Sequence, residues 1–235
     1  MWRFGGACKT CAMRVIVTCG PSYEPIDEVR RLTNFSTGEL GIMLANRLTH
    51  AGFEVLCFKG VGATCPLRAE SARVIPFSTN ASLRAELEAV ENRSEIRFIF
   101  HAAALCDYRV KSVHSSSGAE IAAAKIPSRA GELTLTLEPL SKLVGELRQL
   151  FPACGIVGWK YELIGTRNEV LAAAARQMRE TGTQMCVVNG AAFGAGFGVC
   201  QEGAELVHCA DKARLCDHLA RWAENEVSPA SPDPK

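Results

Sequence analysis

Apolar residues in this chain fall into short unbroken runs separated by stretches of helical spacing. Arg14–Thr18 (RVIVT) is β-branched and apolar and stops at Gly20–Pro21, the pattern of a buried strand. Gly41–Ala51 (GIMLANRLTHA) repeats its apolar positions at helical spacing and is closed by Gly52. Glu54–Phe58 (EVLCF), Arg73–Pro76, Arg97–Ala104 (RFIFHAAA), Gly155–Trp159 (GIVGW) and Met185–Val188 (MCVV) read as further strands, with a short one near Leu206. Ser82–Glu91, with Ser82 as its N-cap, Ser141–Leu150, Thr166–Glu180 and Lys212–Glu226 read as helices. Leu133–Leu137 (LTLTL) alternates, as an edge strand does. Lys111–Ala124 is small and polar without a clear period, and AAFGAGFG after Asn189–Gly190 is a glycine-rich connection.

Continuous apolar strands alternating with helices predict a parallel sheet covered on both faces. The expected fold is α/β, three-layered and Rossmann-like, with helices on both faces of a mostly parallel sheet. One domain is expected over residues 14–226, with a lead at 1–13, a lid-like segment near 110–130 and a tail at 227–235. Ligands of such sheets sit outside the carboxyl ends of the strands. Here those ends are Thr18–Pro21, Ala103–Asp107, Trp159–Glu162 and Asn189.

Composition narrows the class. Apolar residues make up 48% of 235 positions, which excludes global disorder, and a net charge of +1 gives no basis for a nucleic-acid or membrane surface. The eleven cysteines lack the spacing of a disulfide framework, and Cys19, Cys57 and Cys186 lie inside apolar runs. No apolar run marks a signal peptide or a membrane span, so a reducing cytoplasm is the expected compartment. Cys8 and Cys11 form a C-x-x-C with no second pair at zinc spacing.

The stretch LTNFSTGELG, residues 32–41, can be read in two ways. Ser36 or Thr37 can cap the helix that follows, with Gly38 and Gly41 serving a turn and a close helix–sheet contact. The same helix N-terminus, with its free N–H groups and partial positive charge, suits a phosphate. Asn34 reads, on spacing alone, as a turn residue. Asp107 ends a strand, where a carboxylate can meet a ribose, a base or a metal, or simply cap a turn. Lys125 precedes Ile126–Pro127. Lys160 interrupts a buried run, where an unpaired charge is costly. Asn189 closes a strand at Asn–Gly, and His101 reads as a satisfied core histidine.

In combination these segments resemble the phosphopantothenate–cysteine ligase family. VTCGPSYEPIDEVRRLTNFSTGELG is similar to its opening, T-x-G-G-T-x-E-P-I-D followed by N-x-S-[ST]-G-x-x-G. HAAALCDYR, AKIPS, VGWKYE and CVVNGAAFGAGFG resemble its later motifs, in family order from residue 15 to about residue 220. The resemblance implies an enzyme of coenzyme A biosynthesis that joins 4'-phosphopantothenate to L-cysteine through an acyl-nucleotidylate. It implies CTP or ATP as co-substrate, Mg²⁺, and a homodimer.

By the resemblance, Ser36, Gly38 and Gly41 would bind the phosphate of the acid substrate. Asn34 and Lys125 would be catalytic. Gly20, Ala103, Ala104, Asp107, Trp159, Lys160 and Asn189 would form the nucleotide site, and metal ligands are not specified. Pro21 stands where the family has a second glycine, and Ile-Pro-Ser-Arg follows Lys125. Bacterial relatives place two lysines late in the fourth helix. Here Gln177 and Thr181 fall near those positions, with Arg176 and Arg179 close by. The resemblance is to the stand-alone branch, without a flavin-dependent decarboxylase half upstream. Two alternatives are a non-catalytic phosphopantothenate-binding module and a Rossmann oxidoreductase. The second would need a Tyr-x-x-x-Lys pair, and no tyrosine here has a lysine four residues on.

Overall fold

The computed structural model describes residues 13–70 and 72–227. Cys8, Cys11 and the tail at 228–235 lie outside the described residues. The expected buried runs are strands: β1 Arg14–Cys19, β4 Glu54–Gly60, β5 Arg73–Phe77, β6 Ile96–His101, β9 Gly155–Tyr161 and β10 Met185–Asn189. All six pair in parallel, in the order β10-β9-β6-β1-β4-β5. The short strands β11 Phe197–Gln201 and β12 Val207–Cys209 extend the β10 edge as antiparallel neighbours. The order of connection reverses between β1 and β6, which makes that junction the topological switch point.

Alternation along the strands sends side chains to two cores. Val15, Val17, Phe98 and Val157 pack with α1 Glu39–His50 and α5 Lys212–Val227 on one face. Ile16, Leu56, Ile99 and Ile156 pack with α2 Asn80–Glu88 and α3 Leu143–Leu150 on the other. Helix α4 Arg167–Thr181 covers the same face through Val170, Ala174 and Met178 against Cys186 and Val188. The nine described cysteines are free thiols, eight of them buried, in keeping with their place in apolar runs. No helix among the described residues is long and apolar enough to cross a membrane.

Two hairpins lie outside the main sheet. Strands β2 Tyr23–Pro25 and β3 Arg31–Thr33 form one, between β1 and α1. Strands β7 Tyr108–Ser115 and β8 Leu133–Pro139 form a longer antiparallel ribbon that leaves the sheet just after Asp107. Residues 111–115, expected to lack regular structure, are therefore strand; their pairing with β8 supplies the order that their polar sequence does not show.

The connection between β7 and β8, which carries Lys125, is docked on the tip of the first hairpin. The Asp27 side chain is fully buried there. Its carboxylate accepts from the N–H groups of Val29, Arg30 and Ile126, and from the Arg30 guanidinium. Arg30 also donates to the Ile126 carbonyl, and the Glu28 N–H donates to Ala124 O at 2.9 Å.

Helix starts differ in detail from expectation. Gly38, in the left-handed region at φ +77°, occupies the N-cap of α1, while the Thr37 hydroxyl just ahead of it accepts from the Glu39 N–H at 3.3 Å, as a capping hydroxyl does. For α2 the cap is Thr79, and Ser82 is the third helical residue of a reciprocal capping box. The capping box of Thr166 and Glu169 starts α4.

Candidate functional site

The carboxyl ends of β1, β6, β9 and β10 and the starts of α1, α3 and α5 surround a cleft of about 800 Å³. Its floor is the switch point. Past the end of regular pairing, β1 and β6 remain stitched together. The Ala102 N–H donates to Thr18 O, Ala104 N–H to Gly20 O, and Ser22 N–H to Ala104 O. Ala103 N–H donates to Thr18 Oγ1 at 3.3 Å. This holds the backbone of Ala102–Cys106 as a fixed wall.

The start of α1 forms a second wall. At Gly41 the helix backbone crosses β1 so closely that a Cβ there would lie 2.2 Å from the Cβ of Cys19. Ser36, Thr37, Gly38 and Gly41 all line the cleft, at the positive end of the helix dipole. Asn34 reaches across to the opposite wall and donates through Nδ2 to Leu105 O at 2.8 Å. Asn80 holds the next residue in the same way, donating to Cys106 O at 2.8 Å, while the Ser22 hydroxyl accepts from Cys106 N–H. Three side chains therefore fix the turn that presents Asp107 to the cleft.

Three lysines from separate elements line the cleft, each facing a carboxylate. Lys160 Nζ lies 3.2 Å from Glu162, and Lys142 Nζ lies 4.0 Å from Asp107. Lys212 pairs with Glu39, so the first residue of α5 meets the first residue of α1. The Lys142–Asp107 pair is exposed and contributes little to stability, while the other two pairs are half-buried. Their lysines are available to phosphate oxygens on the open side. Among the described residues no group of three or more histidine, cysteine or acidic side chains could hold a metal ion. A divalent ion here would have to bring most of its ligands with it, as Mg²⁺ does on a polyphosphate.

Of the residues singled out from sequence, Asn34, Ser36, Gly38, Gly41, Ala103, Ala104, Asp107, Trp159, Lys160 and Asn189 all line this cleft. Gly20 does not; it packs beneath the lining, against Ala63 and Gly60. Lys125 does not either, since it is exposed on the loop docked beside Asp27. Gln177 lines the cleft and donates to Trp159 O at 3.4 Å, whereas the Thr181 hydroxyl bonds back to Gln177 O within the helix. Lys142, Lys212 and Asn80 were missed. Lys142 directly precedes α3 and Lys212 opens α5, positions where a polar residue is ordinary in sequence.

The family model described as DNA/pantothenate metabolism flavoprotein C-terminal domain matches residues 11–224. The chain belongs to this family. Among curated relatives of the DNA/pantothenate metabolism flavoprotein C-terminal domain, the coenzyme A biosynthesis bifunctional protein CoaBC of Thermococcus kodakarensis is 29% identical over 177 residues. That match takes in 75% of this chain and 41% of the relative. The CoaBC of Methanocaldococcus jannaschii is 25% identical, over 80% of this chain and 43% of that protein. The chain thus spans about two-fifths of the length of these curated relatives. The DNA/pantothenate metabolism flavoprotein from Streptococcus pneumoniae shares the fold, with a TM-score of 0.80 at 20% identity, covering 92% of this chain and all of that one. A Cab2 variant in complex with phosphopantothenate-cysteine also shares it, with a TM-score of 0.67 at 15% identity over 91% of this chain and 87% of that one. The family's Rossmann-like fold is the three-layer arrangement expected from the apolar runs.

Proposed function

We propose that this chain is a phosphopantothenate–cysteine ligase of coenzyme A biosynthesis. The observation that carries the reading is the convergence of Asn34, the Ser36–Gly41 helix start, Asp107 and Lys160 on one cleft at the switch point. A phosphate monoester fits the start of α1, where free N–H groups, Ser36 and Lys212 meet. Its carboxylate then lies towards the β1–β6 junction and attacks the α-phosphorus of CTP or ATP, releasing pyrophosphate and leaving an acyl-nucleotidylate. The amine of cysteine displaces the nucleotide, and the Asn34 amide donates to the acyl oxygen as charge develops. Mg²⁺ brought in on the triphosphate would neutralise phosphate charge, and Asp107, a carboxylate lining the cleft, would help hold it.

Lys125 would act in a second copy of the chain. It is exposed and outside this chain's own cleft, on a loop rigidly joined to a hairpin, which suits a homodimer in which each subunit closes the other's site. With Gln177 and Thr181 engaged within the protein, Lys142 and Lys160 take over the task of phosphate lysines on α4.

The chain mixed with 4'-phosphopantothenate, cysteine, Mg²⁺ and either CTP or ATP is expected to release pyrophosphate; silence with both nucleotides overturns the reading. Binding of the acid substrate without pyrophosphate release would mark a binding module instead. Asn34→Ala is expected to lower amide formation at least 100-fold while part of the pyrophosphate release persists. Normal amide formation would remove Asn34 from the mechanism.

A further inference from the structure

His101 is the last residue of β6, paired in register with Thr18 at the switch point. It shares the face of Ile99 and Ile16, so its ring lies on the α2–α4 side of the sheet, opposite α1. The residue is only 7% exposed, yet it lines the cleft. One ring nitrogen is fixed: Nδ1 lies 2.9 Å from Thr18 Oγ1. That hydroxyl oxygen accepts from Ala103 N–H, and among the described residues the one acceptor placed for its own proton is Nδ1. Nδ1 is therefore the acceptor, and the ring carries its proton on Nε2. Among the described residues Nε2 has no partner, and it is not among the fully enclosed polar atoms. What remains is an N–H donor, locked in tautomer and orientation, open only to the cleft.

The cleft has two halves. The α1 half holds Ser36, Gly38, Gly41 and Lys212, with a place for one phosphate. The other half runs over Gly158 between α3 and α4, past Leu143, Val144 and Gln177, with Lys142 and Lys160 at its mouth. Two lysines suit a polyphosphate, and His101 projects into this second half. Burial keeps the imidazole neutral, with its pKa lowered to about 4. A neutral N–H donates to an oxygen without adding charge to a site already supplied with cations.

We infer that His101, through Nε2–H, is a nucleotide-positioning residue that donates to an oxygen acceptor of the triphosphate co-substrate. This rests on the ligase reading above. The Thr18 hydroxyl sets the direction of the donor, so the pair acts as one unit at the β1–β6 junction.

Two substitutions separate the roles of the two nitrogens. His101→Asn keeps an acceptor near the Nδ1 position and removes the donor. His101→Gln keeps a donor near the Nε2 position and gives up the Thr18 bond. Affinities of the full chain for CTP and ATP with Mg²⁺, and separately for 4'-phosphopantothenate, are measured by calorimetry. His101→Asn is expected to weaken the nucleotide about tenfold, the equivalent of one hydrogen bond. His101→Gln should stay within about threefold of wild type, and affinity for 4'-phosphopantothenate should stay within about twofold in both. Unchanged nucleotide affinity in His101→Asn overturns the inference while leaving the ligase reading intact. Equal loss for both ligands in both variants also overturns it, since that marks a structural role. Failure of the wild-type chain to bind either nucleotide overturns the ligase reading together with the inference. If the variants do not fold, ¹⁵N spectra of the wild-type histidines decide: the His101 Nε2 signal must shift on adding nucleotide and not on adding 4'-phosphopantothenate. A silent Nε2 signal rejects the assignment.

Discussion

The contact between Gly41 and Cys19 ties packing to chemistry at the scale of single atoms. Helix α1 can present its N-terminus to the cleft only because no side chain stands between its first turn and the end of β1. An added Cβ at Gly41 would meet the Cys19 Cβ at 2.2 Å, far inside van der Waals contact. Both residues are buried, so neither can swing into solvent. Gly41→Ala is expected to cost about 2 kcal/mol of stability, in the usual range for overpacking, and to weaken binding of the phosphate monoester by displacing Ser36 and Gly38. Cys19→Gly removes the opposing Cβ, so the double variant should regain part of the affinity. Thermal midpoints and phosphopantothenate affinity of the three variants test this. An undisturbed Gly41→Ala would show that the helix start tolerates a shift. Gly38 has a different task, since its positive φ lets the chain turn from Thr37 into the helix.

At the scale of elements, the joint between the β2–β3 hairpin and the β7–β8 connection centres on the Asp27 carboxylate, with Arg30 and Glu28 adding bonds to Ile126 O and Ala124 O. Burial alone would raise the Asp27 pKa, but three backbone N–H groups and the Arg30 guanidinium outweigh it and hold the pKa at about 2. Asp27→Asn removes the charge and one acceptor oxygen with little change of shape. The expected result is faster hydrogen exchange at residues 121–126, an unchanged rate in β1 and β6, and slower ligation if Lys125 serves a neighbouring site. Equal protection of the loop in variant and wild type would refute the anchoring role.

The sequence shows these two regions unequally. The EPID segment was visible as a motif, but its partner loop lies about a hundred residues away and nothing local points to it. Strands β7 and β8 carry alternating, half-exposed residues, so neither shows the continuous apolar run that marked β1, β4 and β6. Glycine-rich AAFGAGFG hid the start of β11 for a related reason: Gly198 makes room for the Phe193 ring and carries no strand propensity of its own. A hydroxyl next to a helix reads as its cap; Thr37 does bond the first N–H of α1 although Gly38 sits at the cap position, whereas for α2 the cap is Thr79 and not Ser82. In the cleft, residues at strand ends were legible because polar groups interrupt apolar runs there. Lys142 and Lys212 open helices, where a lysine raises no question until the topology brings three elements together.

For the molecule as a whole, strand order decides where chemistry can occur, and it also decides how the protein responds to acid. The order places Thr18 and His101 side by side at the switch point, inside the sheet rather than at its edge. A histidine buried there is neutral when folded, with a pKa of about 4, whereas in the unfolded chain it titrates near 6.5. Below pH 6.5 the unfolded chain takes up a proton that the folded one refuses, so stability is full above that pH and falls as pH drops towards 4. A depression of this size corresponds to about 3 kcal/mol. His218, lowered by burial and then by Arg221, contributes with the same sign. Asp27 adds a second loss at lower pH: its folded pKa lies below the unfolded value, so its contribution is present above about pH 4 and disappears as pH falls towards 2. Urea midpoints should therefore fall between pH 6.5 and 4 in the wild-type chain, before most carboxylates titrate. In His101→Asn the same interval should be markedly flatter, while the loss below pH 4 persists. Parallel pH profiles for the two proteins would mean that the switch-point histidine is protonated in the folded state, and the fixed Nε2–H donor derived from its contact with Thr18 would fall with it.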